Sequence, residues 1–246
     1  MRKRELARTG PLDEDFRVRR AWARRTDWVP PTRKQVEAGL TNQHWAVRLA
    51  WAERTDWGPP TPEQVERGLT DEDWEVRAAW ARRLDYTPNL KQVERGCADT
   101  DERVRAAWAE RLDFNPTEQQ VQQGLSDLIP EVRYAWSVRT DFVPSPEQVE
   151  RGLVDVYSGV RAAWAERTDW GPPTPQQVER GLTDPDEEVR LAWAERPDYT
   201  PTPEQIERGL KDENLEVRQA WTERLKRMVQ EVQDDLLDLD QPGAQG

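Results

Sequence analysis

The sequence predicts an all-α fold, an α-solenoid of about eight helical hairpin repeats of 28–29 residues with a C-terminal capping helix. A Val-Arg pair recurs along the chain, and a Trp follows each Arg after three residues. A period in this range, held over many copies, is typical of units that bury their apolar faces on their neighbours. The arginines are Arg19, Arg48, Arg77, Arg105, Arg133, Arg161, Arg190 and Arg218. The tryptophans are Trp22, Trp51, Trp80, Trp108, Trp136, Trp164, Trp193 and Trp221.

Each repeat begins with a first helix, of which residues 71–84 are an example. Val76, Trp80 and Arg83 recur at helical spacing and therefore share one face. Asp71 stands just before this run, and aspartate is a favoured residue at the N-cap position. The sequence therefore predicts a first helix that starts after an Asp71 cap and ends near Leu84.

A second helix follows a proline-rich tip. Its start carries the signature Thr/Ser-Pro-Glu-Gln, as in Thr61–Gln64 and Ser145–Gln148. Thr or Ser caps the helix, Pro takes the first helical position, and Gln three residues later completes a capping box. The interval before this Gln varies by one residue between repeats, whereas the stretch from Gln to the next Val is constant. We therefore expect the tips, and not the turns between repeats, to tolerate changes in length.

These patterns divide the chain into four segments. Residues 1–11 are expected to form a basic N-terminal arm, and residues 12–224 an eight-repeat solenoid. After Trp221, apolar residues recur at helical spacing between acidic ones. We therefore expect a capping helix over residues 225–240 that covers the last apolar seam. Residues 241–246 are expected to be a disordered tail.

Composition restricts the function classes. Hydrophobic residues make up 35% of the chain, charged residues 34%, and the net charge is −12. Residues 1–40 are an exception, with 11 Lys/Arg against 6 Asp/Glu. An acidic surface repels phosphate backbones, so nucleic acid is an unexpected ligand for the main surface. With one cysteine, Cys97, and neither a signal peptide nor a membrane-length apolar run, we expect a cytoplasmic protein with no membrane partner.

The stretch DEEVRLAWAERPDYTPTPEQIERGL at residues 186–210 resembles HEAT-like α-solenoids, especially the leucine-rich-repeat-variant type. The likeness extends over residues 12–224, although Trp replaces a smaller apolar residue and the repeat is slightly longer. The resemblance implies a helical repeat architecture. The cysteine cluster of some members is absent, so no iron–sulfur role carries over. Such a motif is informative about architecture and nearly silent on function.

Three polar positions recur through the array: the Arg after Val, the Arg-x-Asp pair, and the Gln of the second helix. An enzyme needs one arrangement of acid, base or nucleophile and not many copies, so we expect hydrogen-bonded ladders between repeats. The recurrent Trp is expected in the core. An aromatic residue after each tip Asp either packs on proline to lock the turn or forms an exposed ridge. These residues are Trp28, Trp57, Tyr86, Phe114, Phe142, Trp170 and Tyr199.

Deviations from the repeat consensus indicate two candidate binding sites. Phe16, Trp45 and Trp74 stand two residues before Val in three consecutive repeats, where later repeats have mostly polar residues. They are expected to form an aromatic strip, or alternatively to cap the N-terminal end of the seam. The second candidate replaces acidic consensus residues with apolar ones. It comprises Leu128, Ile129, Tyr134 and Tyr157, with a kink at Pro130 and Gly159 as the alternative explanation.

The sequence therefore predicts a non-catalytic protein-binding scaffold or inhibitor. Its acidic surface and exposed aromatic residues would engage a protein partner with a basic surface. The alternative is a HEAT-like DNA glycosylase or another nucleic-acid-binding solenoid, which would need a basic cleft. We expect no catalytic residue, cofactor, metal or small-molecule substrate. The one histidine, His44, lacks a nearby Cys or second His and is expected to be solvent-exposed.

Overall fold

The computed structural model describes residues 13–25 and 30–239, and these residues contain fifteen α-helices and no strand. The predicted all-α repeat fold is confirmed. The chain divides into two compact units, Met1–Asp141 and Phe142–Gly246, which are described separately. The expected arm at residues 1–11 and tail at 241–246 lie outside the described residues.

The helices alternate between first helices, which carry the Val-Arg and Trp positions, and second helices. Unit 1 contains α1 (Phe16–Ala23), α2 (Arg33–Leu40), α3 (Trp45–Ala52), α4 (Pro62–Leu69), α5 (Trp74–Ala81), α6 (Leu90–Cys97), α7 (Glu102–Ala109), α8 (Glu118–Leu125) and α9 (Pro130–Ser137). Unit 2 contains α10 (Pro146–Leu153), α11 (Ser158–Glu166), α12 (Pro175–Leu182), α13 (Glu187–Glu195), α14 (Pro203–Gly209) and α15 (Leu215–Leu239).

The helix starts show which capping predictions hold. All seven described helices of the second type begin with the predicted capping box. In this box the cap side chain accepts a hydrogen bond from the backbone N–H of the Gln, and the Gln side chain accepts one from the backbone N–H of the cap residue. The cap predicted for α5 is wrong. Asp73, not Asp71, accepts the hydrogen bond from the backbone N–H of Glu75, at 2.9 Å. Asp71 instead accepts from the backbone of Asp73 and from Arg48 of the preceding repeat.

Packing pairs each second helix with the first helix of the next repeat, across the short turn of constant length. The Trp of the first helix lies directly on the Gly near the end of the second helix. At Gly124, an added Cβ would lie 2.1–2.4 Å from indole atoms of Trp136. The conserved spacing of Gly and Trp within this chain therefore reflects one repeated close contact, which leaves no room for a side chain at the Gly.

First helices also pack side by side within each unit, with α1, α3, α5, α7 and α9 in succession in unit 1. In unit 2, α11, α13 and α15 form the corresponding row. The Trp of each first helix is buried between these layers, as predicted, and so is the Val of every first helix except α1, where Val18 is half-buried. Cys97 takes the place of a core Leu and is also buried. Burial raises the pKa of its thiol to about 12, which makes it an unreactive core residue.

Replacing Gly124 with alanine tests the Gly–Trp contact. Alanine favours helix over glycine by about 1 kcal/mol, so an open site would be stabilised. Here the methyl group collides with Trp136, and overpacking of this kind costs about 1–3 kcal/mol. We therefore expect a net loss of unfolding free energy in urea titrations, whereas Gln123→Ala, at the adjacent exposed position, should change it little. An unchanged or raised stability of Gly124→Ala would contradict the close contact.

The tips vary in length as predicted. Two of the longer tips contain Gly58 and Gly171, whose φ angles are +90° and +88°, a conformation that favours glycine. At the other end of unit 2, α15 continues without a break from the Val-Arg segment to Leu239. The segment that we expect to cap the array is thus a continuation of the last first helix.

Candidate functional site

The Arg of the Val-Arg pair links neighbouring repeats at five positions of the array. Arg77 donates from Nε and Nη2 to the carboxylate oxygens of Asp99, both at 2.8 Å, and from Nη1 to the backbone oxygen of Asp71. The hydrogen bonds to Asp99 raise the pKa of Arg77 above its ordinary value. The same two-pronged pairing joins Arg48 to Asp71, Arg105 to Asp127, Arg161 to Asp184 and Arg190 to Asp212.

A second arginine, from the Arg-x-Asp pair, is buried more deeply. Arg111 is 2% exposed and donates from Nη1 to the backbone oxygens of Ala81 at 2.8 Å and Arg83 at 2.6 Å. Its Nε and Nη2 bind the carboxylate of Asp113. The guanidinium therefore closes the C-terminal end of the preceding first helix, while its own repeat supplies the counter-charge.

The tip aromatics cover these buried arginines. The guanidinium carbon of Arg111 lies 4.7 Å from the ring centroid of Tyr86 and 5.4 Å from that of Trp108. Tyr86 also donates from its hydroxyl to the backbone oxygen of Trp80 at 2.9 Å, and burial raises its pKa to about 12. All the described tip aromatics are half-buried and not an exposed ridge. They are Trp57, Tyr86, Phe114, Phe142, Trp170 and Tyr199, whereas Trp28 lies outside the described residues.

A third ladder runs along the second helices. Glu66 accepts from Arg95 at 2.7 Å and from Gln92 at 3.2 Å, and these bonds lower the pKa of its carboxyl group. Equivalent pairs join Glu37 to Arg67, Glu150 to Arg180, and Glu179 to Arg208. The predicted inter-repeat ladders are thus confirmed, and the recurring polar residues are used in holding repeats together.

The described residues contain no group of three or more His, Cys, Asp or Glu side chains placed to hold a metal ion. Over the same residues, none of the helices combines the length and the apolar character needed to cross a bilayer. The remaining candidates for function are the residues that depart from the repeat consensus.

Phe16 and Trp45 of the aromatic strip are linked through His44. The rings of Phe16 and His44 stack with centroids 3.7 Å apart, and His44 lies 6.0 Å from Trp45. The prediction of a solvent-exposed His44 is wrong. It is half-buried, because its Nδ1 accepts from the backbone of Ala46 and caps α3 while its ring packs on Phe16.

Trp74, the third member of the strip, lies at the same helical position one repeat later and lines a groove between α3 and α5. Leu49, Ala78 and Leu84 supply its apolar wall. Leu84 is 74% exposed although it is a large aliphatic residue. The guanidinium carbon of Arg103 lies 4.3 Å from the Trp74 ring centroid, a cation–π arrangement.

Acidic residues lie beside this groove. Glu53 and Glu75 are among its lining residues, together with the basic residues Arg82 and Arg83. Arg82 faces Glu110 of the next repeat at 3.6 Å. The groove therefore combines aliphatic residues and an indole with both carboxylates and guanidinium groups.

The second candidate site falls in both units. In unit 1, Leu128 is 92% exposed, Tyr134 is also exposed, and Ile129 is half-buried at the N-cap of α9. Ile129 makes no side-chain cap bond, whereas the corresponding Asp73 and Asp101 cap their helices. An apolar residue at an N-cap costs about 1 kcal/mol of stability. The apolar side chain of Ile129 therefore replaces a side chain that would have capped α9.

In unit 2, Tyr157 occupies the equivalent N-cap of α11, also without a side-chain cap bond. An added Cβ at Gly159 would lie 2.9 Å from the Tyr157 ring, so glycine at this position makes room for the tyrosine. Pro130 is the first residue of α9, a position at which proline fits a regular helix. Gly159 and Pro130 thus each have a local structural role, and neither role requires a kink in the array.

Sequence reasoning missed the groove beside Trp74. Leu84 lies between Arg83 and Asp85, where other repeats have Thr55, Thr140 or Thr168. Leu112 occupies the same position one repeat later, so it also replaces the Thr of other repeats. The available signal was this Thr-to-Leu change in two consecutive repeats, a deviation of the same kind as the aromatic strip.

Known proteins support the architecture. A solved structure described as a leucine-rich repeat variant with a novel repetitive protein structural motif matches with a TM-score of 0.56 and 27% sequence identity. The match covers 89% of this chain and 80% of that one. The resemblance to leucine-rich-repeat-variant proteins is confirmed. Neither a protein-family sequence model nor a curated protein matches the chain. The leucine-rich-repeat-variant likeness concerns a repeat scaffold, so the function must be argued from this chain's own surface.

Proposed function

We propose that this leucine-rich-repeat-variant-like chain is a non-catalytic protein-binding scaffold, and an inhibitor where binding blocks its partner's own site. The observation that carries the proposal is the groove between α3 and α5, with Trp74 on its wall and Trp45 at the same position of the preceding first helix. Trp45 is 36% exposed. Partly exposed indoles beside an aliphatic groove are typical of the centres of protein interfaces.

The repeated arginines argue against nucleic acid as the ligand. The Arg48 and Arg77 guanidinium groups bind carboxylates of the next repeat, and the Arg54 and Arg83 groups bind carboxylates of their own repeat. Cations held in this way do not offer the free positive charge that phosphate binding depends on. The DNA glycosylase alternative would need a basic cleft, which arginines paired in this way do not supply.

The acidic residues favour a partner with a basic surface. Residues 142–246 carry 12 Lys/Arg against 23 Asp/Glu, so the acidic excess of the chain is concentrated in unit 2. Glu53 and Glu75 add carboxylates at the edge of the groove in unit 1. Charge of one sign increases the association rate with a partner of the opposite sign, and salt weakens the effect. A cytoplasmic location is part of the same proposal.

The test is a quantitative pull-down from the native host, followed by affinity measurement with each captured protein. Combining Trp45→Ala and Trp74→Ala should leave the helical content unchanged and reduce partner affinity more than about a hundredfold, which corresponds to about 3 kcal/mol. Affinity should also fall as the salt concentration rises. Retained affinity in the double variant would exclude the groove as the anchor.

Two matched variants assign the site. Val143→Ala removes an exposed apolar side chain that lies outside the groove, and should leave affinity unchanged. Tyr134→Ala and Tyr157→Ala, made separately, test the second candidate surface. A loss of affinity in either Tyr variant, with full affinity in the Trp variant, would move the binding site there.

A further inference from the structure

The last of the buried arginines lacks the carboxylate that accompanies the others. In six described Arg-x-Asp pairs, the Asp carboxylate forms a salt bridge with the guanidinium of the Arg two residues before it. In the final repeat the residue two positions after Arg224 is Lys226. Because α15 continues through this point, residue 226 also faces a different side of the helix, where Lys226 pairs with Glu223 at 2.7 Å.

Arg224 nevertheless keeps the buried position of its counterparts. It is 6% exposed and donates to the backbone oxygens of Ala194 at 2.8 Å and Tyr199 at 2.6 Å. Its guanidinium carbon lies 4.2 Å from the Tyr199 ring centroid and 5.5 Å from that of Trp221. Among the side chains described, those of residues 13–25 and 30–234, no carboxylate is paired with it and its Nε makes no hydrogen bond. Burial lowers the pKa of Arg224 below its ordinary value, as expected for a cation without a bound counter-charge.

Arg224 lines a cavity of about 340 Å³. Apolar walls come from Pro197, Pro201, Met228 and Val232. This volume is in the range of pockets that hold organic ligands, about 300–1,000 Å³, and is larger than a lone carboxylate needs. The walls and the cation together therefore suit a ligand with one carboxylate flanked by apolar groups.

Other charged residues that line the cavity restrict the class of ligand further. Arg227 lines the same cavity and adds a second positive charge, while Glu195 and Glu231, both exposed, add two negative ones. Asp198 is nearby, but Arg196 holds its carboxylate. A polyanion such as nucleic acid would meet Glu195 and Glu231, whereas one buried carboxylate would meet Arg224.

We propose that this cavity is a binding site for an acidic peptide segment. An Asp carboxylate of the peptide binds Arg224 in the way that the Asp of each Arg-x-Asp pair binds the other buried arginines. The aromatic residue next to this Asp packs on the apolar walls of the cavity. The internal repeats supply the template for this ligand. In them the same carboxylate is followed directly by an aromatic residue and, one to three residues later, by proline, as in Asp113–Pro116. The site lies entirely in unit 2 and is independent of the groove beside Trp74.

The test uses the full-length protein and a labelled peptide of residues 112–118, with the sequence LDFNPTE, followed by fluorescence anisotropy. Binding should saturate with a Kd below about 1 mM. A peptide with Asp113→Asn should bind at least about tenfold more weakly, because the amide cannot supply the ionic hydrogen bonds. Absence of saturation, or equal affinity of the two peptides, would overturn the proposal.

Two substitutions on α15 locate the site without removing Arg224. Met228→Glu places a carboxylate four residues from Arg224 on the cavity wall, within reach of its guanidinium, and should weaken peptide binding at least about tenfold. Val229→Glu makes the same change at the adjacent residue, which is not part of the cavity lining, and should leave affinity unchanged. Wild-type binding by Met228→Glu, or an equal loss in both variants, would exclude the cavity as the site.

Discussion

Replacing Arg111 with alanine is expected to reduce the unfolding free energy of the protein by about 2–5 kcal/mol, mainly because two buried backbone acceptors lose their donor. The buried guanidinium satisfies the backbone oxygens of Ala81 and Arg83 and also neutralises the more exposed carboxylate of Asp113. Its removal leaves these acceptors without a donor and Asp113 without a counter-charge. Denaturant unfolding followed by circular dichroism measures the loss.

Two controls separate geometry from charge. Arg111→Lys keeps the charge but loses the planar fork, so it should lie between the alanine variant and the wild type. Arg103→Ala removes an arginine whose side chain is 54% exposed, and should change stability by less than about 1 kcal/mol. Equal effects of Arg111→Ala and Arg103→Ala would show that the buried ladder does not stabilise the repeats.

Trp108→Ala is expected to have a similarly large effect. Trp108 is fully buried and its indole lies against Gly96 of the preceding second helix. Large-to-small substitutions of this kind cost about 3–5 kcal/mol through the cavity that remains. Thermal and urea unfolding curves of the purified variant provide the measurement.

A nearby exposed position provides the control for this cavity. Leu112→Ala shortens a side chain that is mostly in solvent, and should cost less than about 1 kcal/mol. If Trp108→Ala were neutral to folding but abolished partner binding, the recurrent Trp would be a ligand-contacting residue and its core assignment would be wrong.

Periodicity was enough to predict the helices, the buried Trp and the capping boxes, because each depends on residues close together in the sequence. The roles of Asp71 and Asp73 could not be separated in this way. Both are short acidic residues near the start of a helix, and only the position of Arg48 from the preceding repeat decides that Asp71 pairs while Asp73 caps. Contacts between repeats are set by tertiary packing, which local preference does not encode.

The tip aromatics show the same limit. Tyr86 follows Asp85 and precedes Pro88, so the sequence suggests packing within its own turn. The ring instead covers Arg111 of the next repeat. Likewise, Phe16 and Trp45 are unusual in the sequence because they depart from the consensus, but their connection through His44 is a tertiary contact that the repeat pattern does not indicate. Deviation from a repeat identifies unusual residues without showing what they contact.

The pairing of each second helix with the following first helix bears on how such an array grows. A duplication or deletion with both breakpoints in the tips would transfer a complete Gly–Trp contact, such as Gly124 with Trp136. A breakpoint in the turn between these two residues would separate them. The glycine of one repeat would then pack on a tryptophan that came from a different position of the array. The tips are also where lengths already differ between repeats. The packing module of this protein is therefore offset by one helix from the module suggested by its sequence motif, and recombinant arrays should be joined at the tips.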